Sequence, residues 1–343
     1  MLRCRFGHAD GMETGSSGTM RLPAEYVLPL RWEDDRGLAE LTAYLSALSG
    51  WIDVTVVDGS PDRLFRAHGE AWPFVRQLRP SVPGLNGKAR GALTGIMAAR
   101  HENIVVADDD VRYDRGELGA LLDGLERADF VRPQNVFRPR PWHARWDTGR
   151  MLLNRAAGGD YAGTVALRRS ALGAEGYDTD VLFENLELER TVRARGGRVV
   201  VARDVVVIRR PPSAGRFWEQ RVRQAYDDFA QPVRLVREAA MLPIMIAAMA
   251  RRRAAILAVI ALGSILVAAV GRMRAGGRAF FRASDCLWAP VWIVERSLTV
   301  WIAIGARLRG GVRYRGVRVA RAANSLRVLR ERAGTSRMPV RQA

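Results

Sequence analysis

Cysteine is nearly missing from this chain. Only Cys4 and Cys286 carry thiols among 343 residues, so no disulfide framework holds the fold. Histidine is almost as scarce, and His8, His68, His101 and His143 stand in no zinc-ligand spacing, which excludes a Cys/His metal site. Residues 1–20 contain no apolar run, so the hydrophobic core of a secretory signal peptide is not there; this Gly/Ser-rich stretch is expected to be a disordered N-terminal extension. Two phosphate-binding fingerprints are absent as well. Gly84-Leu85-Asn86-Gly87-Lys88 has too few residues between its glycines for a P-loop, and Ala89 follows where Ser or Thr is required. No G-x-G-x-x-G occurs. Lysine is the rarest charged residue: the 54 Lys+Arg residues include one lysine, Lys88. Either chance kept it, or the position needs a compact ammonium that a planar guanidinium does not replace.

Acidic residues thin out after position 238. Residues 1–238 hold 35 basic and 33 acidic side chains, whereas 239–343 hold 19 and 3. A balanced globular surface is thus followed by a strongly basic tail, suited to anionic lipid or nucleic acid. The tail also carries apolar runs. Ala254–Gly271 has no charge, and as a helix it would reach about 27 Å, close to the hydrocarbon thickness of a bilayer. Cys286–Ala306 is a second apolar stretch, interrupted by Glu295-Arg296, a pair that implies a protein-facing side or an interfacial helix. Trp288, Trp292, Trp301 and Tyr314 fit interfacial anchoring. Ala239–Ala250, broken by Pro243, suits an interfacial or re-entrant segment. Arginines on both sides of Ala254–Gly271 give no orientation, and a buried core helix is the soluble alternative. Uncharged runs do not suit nucleic-acid grooves, so no nucleic-acid partner is expected.

Before the tail, strands and helices alternate. Ala24–Leu30, Ile52–Val57, Asn103–Ala107, Asp129–Arg132, Thr164–Leu167, Val199–Val201 and Val205–Ile208 read as strands. Leu38–Leu48, Lys88–Ala99, Gly116–Leu125, Val181–Arg195 and Arg216–Phe229 read as helices. This pattern predicts an α/β fold with a mainly parallel, helix-covered sheet. Ligands of such sheets sit beyond the carboxyl ends of the strands, where Asp58 and Asp108-Asp109-Asp110 fall. Three adjacent carboxylates repel one another without a cation, and hard oxygens suit Mg²⁺ or Mn²⁺; the plainer reading is a solvated acidic turn.

Several motifs occur together in an order that resembles family-2 glycosyltransferases of the GT-A fold: VVDGS (Val56–Ser60), NGKARGALTG (Asn86–Gly95) and VVADDDVRYD (Val105–Asp114). Asp108-x-Asp110-Val111-Arg112 looks most like ceramide-glucosyltransferase-type members. The loop Gly158–Gly163 ahead of Val165–Arg169 is similar to the family's acceptor-side glycine-rich loop. Phe183–Leu188 stands where the family has its TED motif, and Gln220-x-x-Arg223 resembles the start of QxxRW. The resemblance implies a Rossmann-like mixed sheet with helices on both faces, followed by C-terminal membrane-associated helices. It implies a nucleotide-sugar donor, a divalent cation (Mg²⁺ or Mn²⁺) and inversion at the anomeric carbon. Residue by residue it implies that Pro29, Asp58 and Lys88 lie at the nucleotide, and that Asp108 and Asp110 hold ribose, diphosphate and metal. Gln220 and Arg223 close over diphosphate or acceptor.

Two positions depart from the family pattern. Asn185 stands where the family has its catalytic Asp, and an amide cannot accept a proton; Glu184 or Glu187 is then the candidate base, with Glu187 alternatively an ion-pair partner of Arg190 or Arg193. Gln224 stands where the family has Trp, and Trp218 is the candidate substitute. The chain is accordingly expected to comprise the extension 1–20, a catalytic domain 21–238, membrane-associated helices 239–310 and a basic tail 311–343. The implied activity is transfer of a sugar to a lipid-linked or amphipathic acceptor at the cell membrane, with the catalytic domain on the cytoplasmic side. The alternative, prompted by Asn185, is a catalytically impaired membrane scaffold that retains a nucleotide-sugar-binding fold.

Overall fold

The structure, a computed structural model, describes residues 21–335; the extension expected over 1–20 and the last residues of the tail lie outside the described residues. Its body is one mixed sheet built from β1 (Ala24–Leu30), β2 (Asp53–Asp58), β3 (Arg76–Leu78), β4 (Asn103–Ala107), β5 (Val111–Arg112), β6 (Phe130–Phe137), β7 (Thr164–Arg168) and β8 (Val199–Arg209). Helices α1 (Leu38–Ser49), α2 (Asp62–Ala71), α3 (Gly87–Ala98), α4 (Arg115–Asp123), α5 (Trp142–Ala157), α6 (Glu184–Ala194) and α7 (Ala214–Tyr226) connect them.

The central strands read as unbroken apolar runs because both faces are covered. Side chains alternate across a strand, so Tyr26 and Leu28 join Leu41, Leu45, Leu118 and Leu121 on one face. Val27 turns the other way, to Ala92, Leu93, Ile96, Leu188 and Val192. The strand order is β3-β2-β1-β4-β7-β6-β8-β5. β1 runs parallel to both β2 and β4, so the chain winds outward to β3 and then returns to the far side of β1. That reversal opens a crevice beyond the carboxyl ends of β1 and β4, the usual ligand position in open sheets.

Three expectations are corrected in extent. The strand expected to end at Arg132 continues to Phe137, passing Pro133 with a register shift against β8, as expected where a proline removes a ladder N–H. The two short valine runs are one strand, β8. The helix expected from Val181 starts at Glu184, because Val181 is taken by a bridge to Arg321 of the tail.

Asn86 fixes how α3 begins. Its Oδ1 accepts from the Lys88 and Ala89 N–H groups, and its Nδ2 donates to the Val181 and Leu182 carbonyls. One buried amide therefore caps α3 and ties it to the segment that enters α6. Asn86→Ala loses the cap and strands two buried carbonyls; we expect destabilisation of about 2–3 kcal/mol, read as a lowered melting temperature.

The tail forms α8 (Pro232–Ala250), α9 (Ala254–Met273), α10 (Ala289–Leu308), the hairpin β9 (Val312–Tyr314) and β10 (Val317–Val319), and α11 (Leu326–Thr335). Two helical stretches, Ala254–Ala279 and Ala283–Leu308, are long and apolar enough to cross a membrane by length and composition. α9 exposes Val259, Leu262, Leu266 and Met273 and buries only Ser264, Ala268 and Gly271. This small-residue face packs on α5, where a side chain at 271 would collide with the Leu152 carbonyl. Arg155, fully buried, donates to the carbonyls of Gly271 (3.1 Å), Arg274 (2.8 Å) and Ala275 (2.9 Å) and so satisfies the open carbonyls where α9 ends. Glu295 and Arg296 face the body as expected: Arg296 donates to Asp228 at 3.1 Å, and Glu295 lies 3.7 Å from Arg221.

Candidate active site

A cavity of about 1280 Å³ opens at the crevice. Its floor is the acidic turn after β4. Asp108 Oδ1 lies 2.6 Å from the Lys88 Nζ, and the same ammonium lies 2.6 Å from Glu184 Oε1. Arg209 approaches from β8: its Nε donates to both oxygens of Asp110, at 2.9 and 2.8 Å, and it reaches Asp108 at 3.3 Å. Asp109 accepts from the Trp32 indole at 2.6 Å. The pairing of Val111 with Arg209 across β5 and β8 brings this arginine to the turn. Gly163 completes the seat. Its carbonyl accepts from the Asp108 N–H, its φ is +72°, and a Cβ there would press on Asp108 Oδ2; only glycine meets both demands without strain.

Electrostatics follow from this packing. Burial pulls the Lys88 ammonium down, but Asp108 and Glu184 outweigh it and its pKa lies well above the ordinary lysine value. Burial pushes the Asp110 carboxyl up to about 6; Asp108 and Asp109 add to the rise and Arg209 opposes it. Asp108, Asp110 and Glu184 thus share two cations, Lys88 and Arg209, while Asp109 is held by the Trp32 indole. The four carboxylates exceed these two cations by two charges, and their hard oxygens suit one divalent cation. Among the described residues no group of three or more His, Cys, Asp or Glu side chains is placed to hold a metal alone. Two carboxylates fit the usual arrangement in which substrate phosphates complete the shell, so the residues present suit Mg²⁺ or Mn²⁺.

The structure brings Pro29, Lys88, Asp108, Asp110, Glu184, Gln220 and Arg223 to one cavity. Three other candidates stand elsewhere. Asp58 is fully buried behind the cavity wall, where it accepts from Ser60 N–H (2.9 Å) and Gln77 (3.2 Å) and lies 2.6 Å from His68 Nδ1; it shapes the loop after β2. Glu187 is buried and turned away, accepting from the Asn324 N–H and side chain, both at 2.7 Å. Its expected partners are engaged otherwise: Arg190 donates to the carbonyls of Asn324 and Ala230, and Arg193 to Glu189. Trp218 is half exposed and belongs to an aromatic cluster with Trp142, Trp146 and Phe217. Only Phe217 of these four lines the cavity.

Several cavity residues had no motif to announce them. Trp32 and Arg209 hold the acidic turn, and Asp147, Arg150, Asp160 and Arg221 form a buried charged wall. The tail contributes Tyr314, over which Arg223 stacks at 5.2 Å, and Arg315, which donates to the Arg31 carbonyl. Asn185, at the divergent motif position, donates to Glu184 at 3.1 Å.

No protein-family model matches the chain, and no curated protein matches it. Solved structures do. A mannosyltransferase from Pyrobaculum calidifontis, determined with GDP-Man and Mn²⁺, superposes with a TM-score of 0.53 at 20% identity, over 85% of this chain and 90% of that one. The fold is GT-A. A glucosyl-3-phosphoglycerate synthase from Mycobacterium tuberculosis, solved with Mn²⁺ and UDP, is similar over 57% of this chain and 74% of its own, at 18% identity and a TM-score of 0.38, too low to bear on the assignment. In the GT-A sheet of this chain the acidic turn ends β4, and long apolar helices follow the body.

Proposed function

We propose that this protein is a glycosyltransferase that moves a sugar from a nucleotide-sugar donor to a lipid-linked or amphipathic acceptor at the cytoplasmic face of the cell membrane. The carrying observation is the Asp108/Asp110 pair at the end of β4, held by Lys88 and Arg209 in a cavity that Asp109 and Glu184 also line. Asp108 and Asp110 would hold Mg²⁺ or Mn²⁺, which supplies charge neutralisation for the departing diphosphate. Pro29 and Trp32 border the nucleotide, and Lys88 and Arg209 position the diphosphate by charge. Gln220 and Arg223, on α7, close from the opposite wall, where guanidinium donors suit phosphate oxygens. The anomeric carbon gains positive character as the leaving group departs, so donors fixed beforehand at the developing charge lower the barrier. Glu184 stands on the acceptor side. Single displacement with inversion is consistent with this cavity, in which no motif marks a second nucleophile. The apolar surface of α9 and the basic residues of the tail support seating at an anionic bilayer.

Asn185 favours a second reading, a scaffold that binds the donor without turnover. Purified protein in detergent separates the two when GDP-mannose and UDP-glucose are supplied with Mn²⁺. Release of nucleoside diphosphate from either donor, abolished by EDTA, is the expected result. Binding of both donors with no release, even when a membrane lipid extract is added as acceptor, would establish the scaffold.

A further inference from the structure

One carboxylate in the cavity combines a buried oxygen with no hydrogen-bond or ion-pair partner among the described residues. The buried acids around it are engaged: Asp147 by Arg150 and Arg221, Asp160 by Arg150 and Asn154, Asp228 by Arg234 and Arg296, and Glu184 by Lys88 and Asn185. Asp227, at the residue that ends α7, lines the same cavity, and its Oδ1 is buried without a hydrogen-bond donor among the described residues. It lies three and four residues beyond Gln224 and Arg223, which also line the cavity. A proton acceptor must be ionised, close to the acceptor hydroxyl and not already saturated by cations. Glu184 meets the last condition poorly, because the Lys88 ammonium holds it at 2.6 Å.

We propose that Asp227 is the general base of the transfer, in the place that Asn185 leaves vacant. This inference rests on the glycosyltransferase reading above. In the step, the acceptor O–H gives its proton to Asp227 Oδ1 and its oxygen forms the new bond to the anomeric carbon. The bond from that carbon to the diphosphate oxygen breaks, and its electron pair leaves with the diphosphate. The environment suits the role. Burial pushes the Asp227 carboxyl up to about 7; Glu184 from α6 adds to the rise, while Arg223 of its own helix, Arg296 from α10 and Arg234 from α8 oppose it. A base that titrates near neutrality combines an ionised fraction with real proton affinity.

The test uses the full-length protein in detergent with GDP-mannose and UDP-glucose as donors, Mn²⁺, and water or a lipid extract as acceptor. Asp227→Asn should lower nucleotide release by about 10²–10⁴-fold and leave the affinity for GDP and UDP unchanged. The wild-type rate should fall on the acid side of about pH 7, where Asp227 becomes protonated; that limb should vanish from the residual activity of Asp227→Asn and persist in Glu184→Gln. Asp227→Glu, which keeps a carboxylate, should recover part of the rate with the limb displaced. Asp227→Asn should also melt no lower than wild type, because it removes a charge whose burial the surrounding arginines offset only in part. An undiminished rate in Asp227→Asn, or an unchanged acid limb, overturns the assignment while leaving the glycosyltransferase reading intact. Absence of release by the wild type from either donor overturns both.

Discussion

Asp110→Ala should reduce nucleoside diphosphate release from its donor by about a thousandfold at saturating Mn²⁺, the order expected when the charge support of a leaving group is lost. The reason is local. Asp110 and Asp108 share Arg209, and Asp108 also shares Lys88; without Asp110 the metal pair is reduced to Asp108, and the Arg209 Nε loses both oxygens to which it donates. Lys88→Ala should cost as much. Lys88→Arg should not rescue it, since a compact ammonium sits 2.6 Å from both Asp108 and Glu184 and a planar fork cannot occupy that point. Asp109→Ala, which frees only the Trp32 indole, should be milder, and Glu187→Ala should weaken rather than abolish transfer. Initial rates with Mn²⁺-dependent nucleotide affinity check all five variants, and full activity in Lys88→Ala would refute the role given to that ammonium.

The second large effect is on stability. Asp147→Ala should destabilise the protein by about 3–5 kcal/mol, the usual result of removing one partner from a buried ion pair. Asp147 accepts from Arg150 at 2.9 and 2.8 Å and from Arg221 at 3.1 Å; without it, the buried Arg221 keeps the Phe217 carbonyl at 3.2 Å and one carboxylate, Glu295, 3.7 Å away. Burial alone would raise the Asp147 carboxyl, but Arg150 and Arg221 outweigh it and hold it far below the ordinary carboxylate range. A depressed folded-state pKa means that the stabilisation is complete above the unfolded value of about 4 and is lost only as pH falls below it. The melting-temperature gap between wild type and Asp147→Ala should therefore be flat from about pH 5 to 8 and narrow in stronger acid.

Much of the body can be read from the sequence because its strands are covered on both faces, which writes them as runs such as NIVVA and VVD. The acidic turn is legible for the same reason: it begins where the run stops. Arg209 is not. It reaches Asp110 through the register of β5 on β8, a pairing between segments far apart in the chain. Asp58 shows the limit of a motif, since its carboxylate is claimed by His68 and Gln77. Glu187 is a candidate through the divergent motif around Asn185, yet its contacts are set by Asn324 of the tail, which no local pattern announces. Asp227 carries no motif at all; what distinguishes it is a missing partner, and only the assembled cavity shows that.

The clasp between Arg155 and α9 has an evolutionary consequence. It grips main-chain oxygens, so it asks nothing of the helix's side chains except smallness where the backbones touch, at Ala268 and Gly271. Substitutions along the outward stripe of α9 can then accumulate freely and retune how that helix meets its surroundings, while the chemistry above it is left undisturbed.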